Sequence, residues 1–344
     1  MTMCYMSATK STNGIMNSMM NFCTYFDINY LPRALAMYSS LVQHCPVFHL
    51  YMLCFDDASV IRLQSLNLQH TTIIPLERFE AGDDKLIEVK GSRTRLEYYY
   101  TCSPSLPLFI FKEYSHIDVL TYLDADLFFF SDPSPLLKEL NGYSIGITVH
   151  NFPQYRTAPS TGKYNVGWLS FRRDSHGLEC LNWWRRKCIE WCYERFEDGK
   201  YADQLYLDVW PELFQGVKVL EHKGANVAMW NIADYNIFEE QGKIFVSGDP
   251  LVFYHFHGFK QIAPGVYNTN LGLTYHFPSK ILKRKVFLPY IIELEKYSFN
   301  SSFTSSIRVK RIRAKWIQAV RTFVRTLIGI VFRQYVVVIN NKIY

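Results

Sequence analysis

Short apolar runs alternate with helix-like segments through the first half of the chain, and this alternation constrains the fold more than any other sequence feature. Residues 21–26, 48–55, 71–75 and 117–123 have the length and composition of buried strands. The helix-like segment at residues 32–43 begins with a proline, which fits a first helical turn. Strands that alternate with helices in this way predict an α/β domain with a mixed, mainly parallel central sheet.

The rest of the chain continues the pattern without an internal repeat. Further strands are predicted at residues 144–149, 166–171, 218–220, 244–246 and 251–257, and further helices at 61–68, 93–100, 105–114, 178–196 and 281–297. Residues 1–20 are polar and rich in methionine, so we expect a disordered leader there. We expect one catalytic-type domain over residues 21–297, followed by a linker and tail over residues 298–344.

Composition excludes several classes of protein. Hydrophobic residues make up 49% of the chain and charged residues 20%, which is enough apolar surface to offset the entropy of ordering. The eight cysteines are too few for a disulfide scaffold in a chain of this length, and without a Cys-x-x-Cys pair neither a zinc knuckle nor a redox pair is indicated. No apolar run reaches the roughly 18 residues that a spanning helix needs. Unpaired thiols and the lack of a signal pattern predict a cytoplasmic protein.

The positive charge is concentrated in the tail. Residues 307–344 hold nine basic and no acidic side chains, whereas the other 306 residues carry 28 basic and 31 acidic ones. Apolar residues from Val309 to Ile330 recur at spacings of three and four, with basic residues opposite. This pattern predicts a basic amphipathic helix at the inner face of an anionic membrane. Docking of this helix on the globule and nucleic-acid binding are the alternatives.

The most informative motif is Asp124-Ala125-Asp126, which follows an apolar strand directly. Alternate residues share a face, so the two carboxylates can converge on one hard divalent cation. A solvated turn is the alternative interpretation of this short motif alone. Ligand sites of α/β sheets lie beyond the carboxyl ends of strands, which favours the metal site.

A second motif contains two histidines before a glycine, His255-Phe256-His257-Gly258. On a strand the two imidazoles would face the same way, and Gly258 would let the backbone approach a ligand. Such a pair is typical of a phosphate or metal site, although either histidine alone could be a satisfied core residue. Imidazole combined with carboxylate favours Mn²⁺ over Mg²⁺.

Five elements follow one another along the chain: Asp27-Ile28-Asn29-Tyr30, Tyr122-Leu123-Asp124-Ala125-Asp126, Tyr164-Asn165-Val166-Gly167-Trp168, Asp203-Gln204 and His255-Phe256-His257-Gly258. In the order of these motifs, the sequence resembles GT-A-fold nucleotide-sugar glycosyltransferases and is similar to glycosyltransferase family 8. The resemblance covers about residues 21–262 and includes segments similar to those of bacterial glycosyltransferases from polysaccharide gene clusters. Three parts of the family pattern are not found: the Lys-Pro-Trp after the glycine, a third carboxylate after Asp203-Gln204, where Leu205 stands, and an arginine for the diphosphate.

The resemblance implies a GT-A (Rossmann-like) fold and a role for each motif. It implies Asp124, Asp126 and His255 as ligands of Mn²⁺ or Mg²⁺. The nucleotide is expected to be UDP, and the residues implied for it are Thr24, Tyr25, Asp27, Asn29, Ala125 and Gly258, with His257 and Lys260 in contact with its phosphates. For the sugar the resemblance implies Asn165, Asp203 and Gln204 at the reaction centre, with Gly167, Asn226, Trp230 and Asn231 around it.

Several alternatives remain open at this level. Asp203 precedes an apolar stretch and could be a helix cap, and Trp230 could be a core residue. Retention of the anomeric configuration follows only from the resemblance. The expected activity is transfer of a hexose-type sugar to a glycan or lipid-linked saccharide in bacterial surface polysaccharide synthesis. A catalytically silent carbohydrate- or nucleotide-binding module is the main alternative. A nucleotidyltransferase would need a glycine-rich phosphate loop, which residues 27–33 lack.

Overall fold

The structure, a computed structural model, describes residues 19–153, 161–271, 278–298, 335–339 and 341–343. Its first half contains β1 (Met20–Phe26), α1 (Leu31–His44), β2 (Phe48–Cys54), α2 (Asp57–Leu66), β3 (Thr71–Pro75), α3 (Leu76–Glu80), α4 (Asp84–Lys90), α5 (Arg95–Cys102), α6 (Ser105–Glu113), β4 (Val119–Leu123), β5 (Leu127–Phe129), α7 (Ser134–Glu139), β6 (Ile145–Val149), β7 (Tyr164–Arg172) and α8 (Ser175–Glu190).

The second half contains α9 (Trp210–Leu213), β8 (Val217–Val219), β9 (Val227–Ala228), β10 (Ile237–Glu240), β11 (Lys243–Val246), β12 (Asp249–Pro250), β13 (Phe253–His255), β14 (Lys260–Ala263), β15 (Val266–Asn268), α10 (Leu288–Tyr297), β16 (Tyr335–Ile339) and β17 (Lys342–Ile343). Short 3-10 helices lie at Leu205–Val209 and Ile232–Asp234, and a π-helix at Leu282–Phe287 leads into α10.

The central sheet confirms the predicted α/β fold. Within the described residues it has seven strands in the order β3-β2-β1-β4-β7-β6-β8. Neighbouring strands are parallel except at β7, which is antiparallel to both β4 and β6. Because β7 runs against its neighbours, its first residues lie at the edge where β1, β4 and β6 end. Residues of β1, β4, β6 and β7 therefore lie close together at this edge.

Helices cover both faces of the sheet. Phe22 and Cys23, successive residues of β1, are fully buried on opposite faces. One face packs against α5, α6 and α8 through residues such as Leu106 and Trp184, and the other packs against α1 through residues such as Leu35. A sheet buried on both sides explains why its central strands are continuous apolar runs rather than alternating ones.

A second, small sheet in the order β5-β13-β9 lies next to the end of β4. In its antiparallel ladder His255 is opposite Leu127, and the Phe256 N–H donates to the Asp126 carbonyl at 2.9 Å. The small sheet is joined to the central one through Trp168 of β7, whose ring stacks on Phe253 at 5.5 Å. The ladder thus fixes the histidine motif, His255-Phe256-His257-Gly258, next to the acidic motif, Asp124-Ala125-Asp126.

Two predicted elements end earlier than expected. The helix predicted over residues 178–196 is α8, which starts after the capping carboxylate of Asp174 and ends at Glu190, since Trp191 is already extended. The strand predicted over residues 251–257 is limited to β13, so His257 lies in the turn after the strand. Trp191 continues the apolar sequence pattern of the predicted helix, and Phe256 continues that of the predicted strand. Neither residue belongs to the element in the structure.

The end of the tail contains a strand that the sequence analysis did not predict. Residues 335–339 form β16, which pairs with β15 of the globule, and Val336 is fully buried there. The β-branched run Val336-Val337-Val338-Ile339 favours a strand, and β15 offers a free edge. The predicted helix over residues 309–330, most of the linker and residues 1–18 of the leader lie outside the described residues. None of the helices that the structure describes has the length and hydropathy needed to cross a bilayer.

Replacement of Gly224 by alanine is expected to destabilise the fold. The Gly224 carbonyl accepts from Val252 N–H at 2.8 Å, and a Cβ on Gly224 would lie 1.8 Å from the Pro250 carbonyl oxygen. Forcing these backbones apart should cost about 2–3 kcal/mol, as overpacking does elsewhere. Urea unfolding measures this cost. Gly91→Ala, where nothing lies within 4 Å of the added carbon, is the control. Equal midpoints for the two variants would contradict the close approach.

Candidate active site

The edge of the central sheet where β1, β4 and β6 end and β7 begins opens into a cleft of about 600 Å³. Most of the site residues that the sequence predicts line this cleft. They come from the ends of β1 and β4, the start of β7, the segment before the 3-10 helix at Leu205–Val209, the turn after β9, and the end of β13 with its following turn: Tyr25, Asp27, Asn29, Asp124, Ala125, Asp126, Asn165, Asp203, Gln204, Trp230, His255 and His257. Elements far apart in the chain therefore face one solvent-accessible space.

The acidic motif and His255 lie within reach of one another. His255 Nε2 is 3.1 Å from Asp126 Oδ1 and 3.5 Å from Asp124 Oδ2. The Tyr122 hydroxyl donates to Asp124 Oδ1 at 2.9 Å, which orients that carboxylate. The His255 ring lies directly over Gly167, where an added Cβ would be 2.9 Å from Nδ1. The predicted convergence of the two motifs is therefore present.

Burial and mutual charge set the protonation of this cluster. Burial raises the pKa of Asp124 to about 6, with a further rise from Asp126 and an opposing effect of His255. Burial acts the same way on Asp126, but the charge and hydrogen bond of His255, with His257 and Arg33, hold its pKa at about 2. For His255, the two carboxylates outweigh burial and raise the pKa. A positive charge is thus favoured at the centre of the cluster.

The donor set fits a divalent cation. Two carboxylates with an imidazole supply oxygen and nitrogen ligands of the kind that Mn²⁺ and Mg²⁺ sites use. Among the described residues, Asp126, His255 and His257 present ligand atoms that all lie within 4.8 Å of one another. His257 belongs to this group although it lies in a turn and not, as the sequence suggested, on the strand.

A hydrogen-bonded network lies beside the acidic cluster of Asp124, Asp126 and His255, since Asn165 and His255 both lie against Gly167. Asn165 Nδ2 is 3.2 Å from both Gln204 Oε1 and His150 Nε2, and Gln204 Nε2 donates to the Thr161 carbonyl at 2.7 Å. Burial lowers the pKa of His150 to about 3, so its neutral ring can accept from Asn165. These contacts fix the orientation of both amide side chains. His150, at the end of β6, was not identified from the sequence.

Asp203 is a buried carboxyl beside this network. Burial raises its pKa to about 7, and Asp124 contributes to the rise while a hydrogen bond with Ser103 opposes it. The 3-10 helix that follows begins after Gln204 and has no side-chain cap, so the helix-cap alternative for Asp203 is not supported. A carboxyl of this kind in a cleft is a candidate for acid–base or charge-stabilising chemistry.

The first-strand motif lies at the other end of the cleft. Asp27 Oδ1 accepts from the Asn29 and Tyr30 N–H groups, while Asp27 Oδ2 is 3.0 Å from Arg95 Nη2. Tyr99 donates to the same oxygen at 3.3 Å. Sequence reasoning missed Arg95 and Tyr99: it predicted their helix, but no local signal shows that α5 faces the end of β1.

Two of the predicted sugar-contacting residues are structural in this conformation. The Asn231 side chain is fully buried, donates to the carbonyls of His150 and Asn226 at 2.8 and 2.9 Å, and accepts from Ala228 N–H. Asn226 is also buried and donates to the Val149 carbonyl at 3.0 Å. The structure does not bring either amide into the cleft. They tie the segment of β9 to the end of β6 and so support His150 and Trp230.

Four other predicted residues lie around the cleft rather than on its wall. Thr24 is fully buried within β1, and Gly167 lies beneath the His255 ring. Gly258 adopts a φ of +68° in the turn after β13, where an added Cβ would be 2.3 Å from Asn270 Nδ2. Lys260 is exposed on β14 and is not among the residues that line the cleft. The two glycines thus act by leaving space.

The pKa of Asp203 predicts a pH-dependent stability. The unfolded carboxyl ionises near pH 4, but the folded one keeps its proton to about pH 7, so stability is lost progressively as the pH rises between these values. We expect Asp203→Asn to be more stable than the unaltered protein at pH 8, by at most about 4 kcal/mol. The gain should vanish towards pH 4. Urea unfolding without metal at pH 4, 6 and 8 measures it, with the exposed Asp234→Asn as control. A difference that does not change with pH would be the contrary result.

Comparison with known proteins shows relatives and similar folds. No family model matches the chain. Two solved structures are similar over 70% of this chain: an active-site variant of LgtC (16% identity, 88% of that chain, TM-score 0.45) and mouse xyloside xylosyltransferase 1 (15% identity, 98% of that chain, TM-score 0.47). Similarity at this level carries no assignment of activity, and family 8 in particular stays a prediction.

Two Bacillus subtilis proteins are much closer in sequence, and both are described as uncharacterized. YfnD is 32% identical over 284 residues, which is 81% of this chain and 90% of YfnD. YfnF is 31% identical over 251 residues, which is 70% of this chain and 82% of YfnF. The chain therefore belongs to the same protein family as YfnD and YfnF.

Proposed function

We propose that this protein is a metal-dependent glycosyltransferase of the hexosyltransferase type. It would transfer a sugar from a nucleoside diphosphate sugar, with a UDP-sugar as the first candidate, to a hydroxyl of a glycan or lipid-linked saccharide. The observation that carries the proposal is the meeting of two carboxylates and His255 within 3.5 Å, in one cleft with Asn165, Asp203 and Gln204.

The acidic cluster would bind the donor's diphosphate through a cation. Asp124, Asp126 and His255 would hold Mn²⁺ or Mg²⁺ at the end of β4. The cation, when bound, stabilises the negative charge that grows on the departing diphosphate. Tyr122 keeps Asp124 in position through its 2.9 Å hydrogen bond, so the carboxylate is placed before the donor arrives. Without bound metal, Asp124 and Asp126 raise the pKa of His255 and so favour a protonated imidazole between the carboxylates.

The hydrogen-bonded network of Asn165 and Gln204, with Asp203 beside it, would hold the sugar. Asn165 and Gln204 are oriented by each other and by His150, and their polar atoms border the cleft. Asp203 would stabilise positive charge at the anomeric carbon as a carboxylate, or accept the acceptor's proton. Its raised pKa means that ionisation is favoured only near neutral pH or above. The resemblance to family 8 favours retention of the anomeric configuration.

The Asp27 end of the cleft would take the nucleotide. Tyr25, Asp27 and Asn29 offer an aromatic face and polar atoms for the base and ribose. Arg95 supplies positive charge there, although the sequence pattern gave no arginine for the diphosphate. The Tyr99 ring, stacked on Phe55 at 3.8 Å, closes this end of the cleft.

The position in the cell is part of the proposal. Seven cysteines among the described residues are buried and unpaired, consistent with a protein that works in a reducing compartment, the cytoplasm. The nine basic residues after residue 306 would hold it at the inner face of the membrane, where lipid-linked acceptors are presented. Surface polysaccharide synthesis is the process that fits these features.

Loss of either carboxylate is expected to abolish turnover. Asp124→Asn and Asp126→Asn should each lower metal-dependent release of nucleoside diphosphate by at least about 100-fold, because the diphosphate charge is then uncompensated. The assay uses a panel of sugar nucleotides with Mn²⁺, chosen first by thermal stabilisation. Asp118→Asn, at the exposed amino end of the same strand, is the control. Full turnover in both cleft variants would refute the proposal, whereas donor binding without turnover by the unaltered protein would indicate a silent binding module.

Membrane association is expected to depend on the basic tail residues. Replacing Arg308, Lys310, Arg311, Arg313 and Lys315 by glutamine should weaken binding to anionic vesicles by roughly 1 kcal/mol per residue. Vesicle co-sedimentation measures it, and this variant leaves β16 intact. Unchanged sedimentation with anionic vesicles, or equal binding to neutral ones, would argue against an electrostatic membrane contact.

A further inference from the structure

His257 presents a ligand atom close to the ligand atoms of Asp126 and His255. One ligand atom each from Asp126, His255 and His257 lies within 4.8 Å of the other two. The two rings are steeply inclined, with centroids 5.9 Å apart and an interplanar angle of 82°. Two imidazoles and a carboxylate thus surround one point from different directions, as the ligands of a single ion do.

The turn after β13 folds His257 back towards Asp126. The Phe256 N–H donates to the Asp126 carbonyl at 2.9 Å, and the Phe259 N–H donates to the Phe256 carbonyl at 3.0 Å. Gly258 takes a left-handed φ of +68°, which closes the turn. The Asn270 amide donates to the His257 carbonyl at 3.1 Å. The backbone of His257 is therefore fixed by hydrogen bonds on both sides of the turn.

The Trp230 ring contacts both imidazoles, those of His255 and His257. It is edge-on to His255 at 5.1 Å and to His257 at 5.8 Å. Trp230 and His255 are both buried, so the Trp230 ring restricts the rotation of the His255 ring, while His257 is exposed to the cleft. A metal ligand gains affinity from neighbours that fix its orientation.

We propose that His257 is a direct ligand of the cation, together with Asp126 and His255, and that Asp124 completes the protein side of the site. The inference rests on the proposed function for the presence of a cation, and it revises the sequence-based expectation that His257 contacts phosphate. A second imidazole shifts the donor set away from all-oxygen coordination. The site should therefore select Mn²⁺, or another first-row transition ion, over Mg²⁺.

The test measures metal binding without nucleotide. Mn²⁺ is titrated into the full chain and followed by electron paramagnetic resonance, and Mg²⁺ is measured by competition. His257→Gln should lower Mn²⁺ affinity at least about tenfold and change Mg²⁺ affinity by less than about threefold. His116→Gln, at an exposed histidine, should leave both affinities unchanged. Electron spin echo spectra of bound Mn²⁺ should show two coupled histidine nitrogens in the unaltered protein and one in the variant.

Two results would overturn the inference. One is a single coupled nitrogen in the unaltered protein, a result that does not depend on how any variant folds. The other is unchanged Mn²⁺ affinity in His257→Gln with weakened binding of nucleoside diphosphate, which would return His257 to a phosphate contact. Asp126→Asn separates this failure from failure of the proposed function: if that variant also keeps full Mn²⁺ affinity, the metal site itself is refuted.

Discussion

The antiparallel ladder between β5 and β13 determines the geometry of the candidate site. It is short, but it places His255 opposite Leu127 and joins the Asp126 carbonyl to the Phe256 N–H. The ladder is held against the central sheet by the buried ring of Trp168, which stacks on Phe253. A shift of one residue in this register would turn His255 to the other face, away from the carboxylates. The acidic cluster and the turn of His257 both depend on it.

The reversed direction of β7 has a comparable effect on the other wall of the cleft. If β7 were parallel to β4, Asn165 would lie at the opposite edge of the sheet. Because β7 is antiparallel, Asn165 lies beside the residues that follow β4 and β6, where it meets His150 and Gln204. One strand reversal thus brings Asn165 into the same cleft as Asp124 and Asp126.

Much of the fold was predictable because it follows from local patterns. The strand at residues 71–75 was predicted with the bounds that the structure has, and the break at Pro104 separates α5 from α6 as expected. Convergence of the Asp124 and His255 motifs was also predictable, since strand ends and residue chemistry both indicated it. Elements of two or three residues, such as β9 and β12, carry too few residues for a periodic signal.

What could not be predicted depends on tertiary contacts. The burial of Asn231 is accompanied by three hydrogen bonds to backbone, one of them to the distant His150 carbonyl, and the sequence shows only an amide next to a tryptophan. Arg95 reaches Asp27 because α5 packs against the first strands, a relation that helix propensity does not contain. The strand β16 was not predicted either, because its partner β15 is distant in the chain and only the folded globule shows that edge.

The division of the donor set along the chain has a consequence for synthesis of the protein. Asp124 and Asp126 leave the ribosome long before His255 and His257, and the carboxylates meet no imidazole until β13 has paired with β5. A nascent or truncated polypeptide therefore lacks the full set of ligands, however well its first strands have folded. Under the proposed function, sugar donor is consumed only by chains whose translation has passed the second motif.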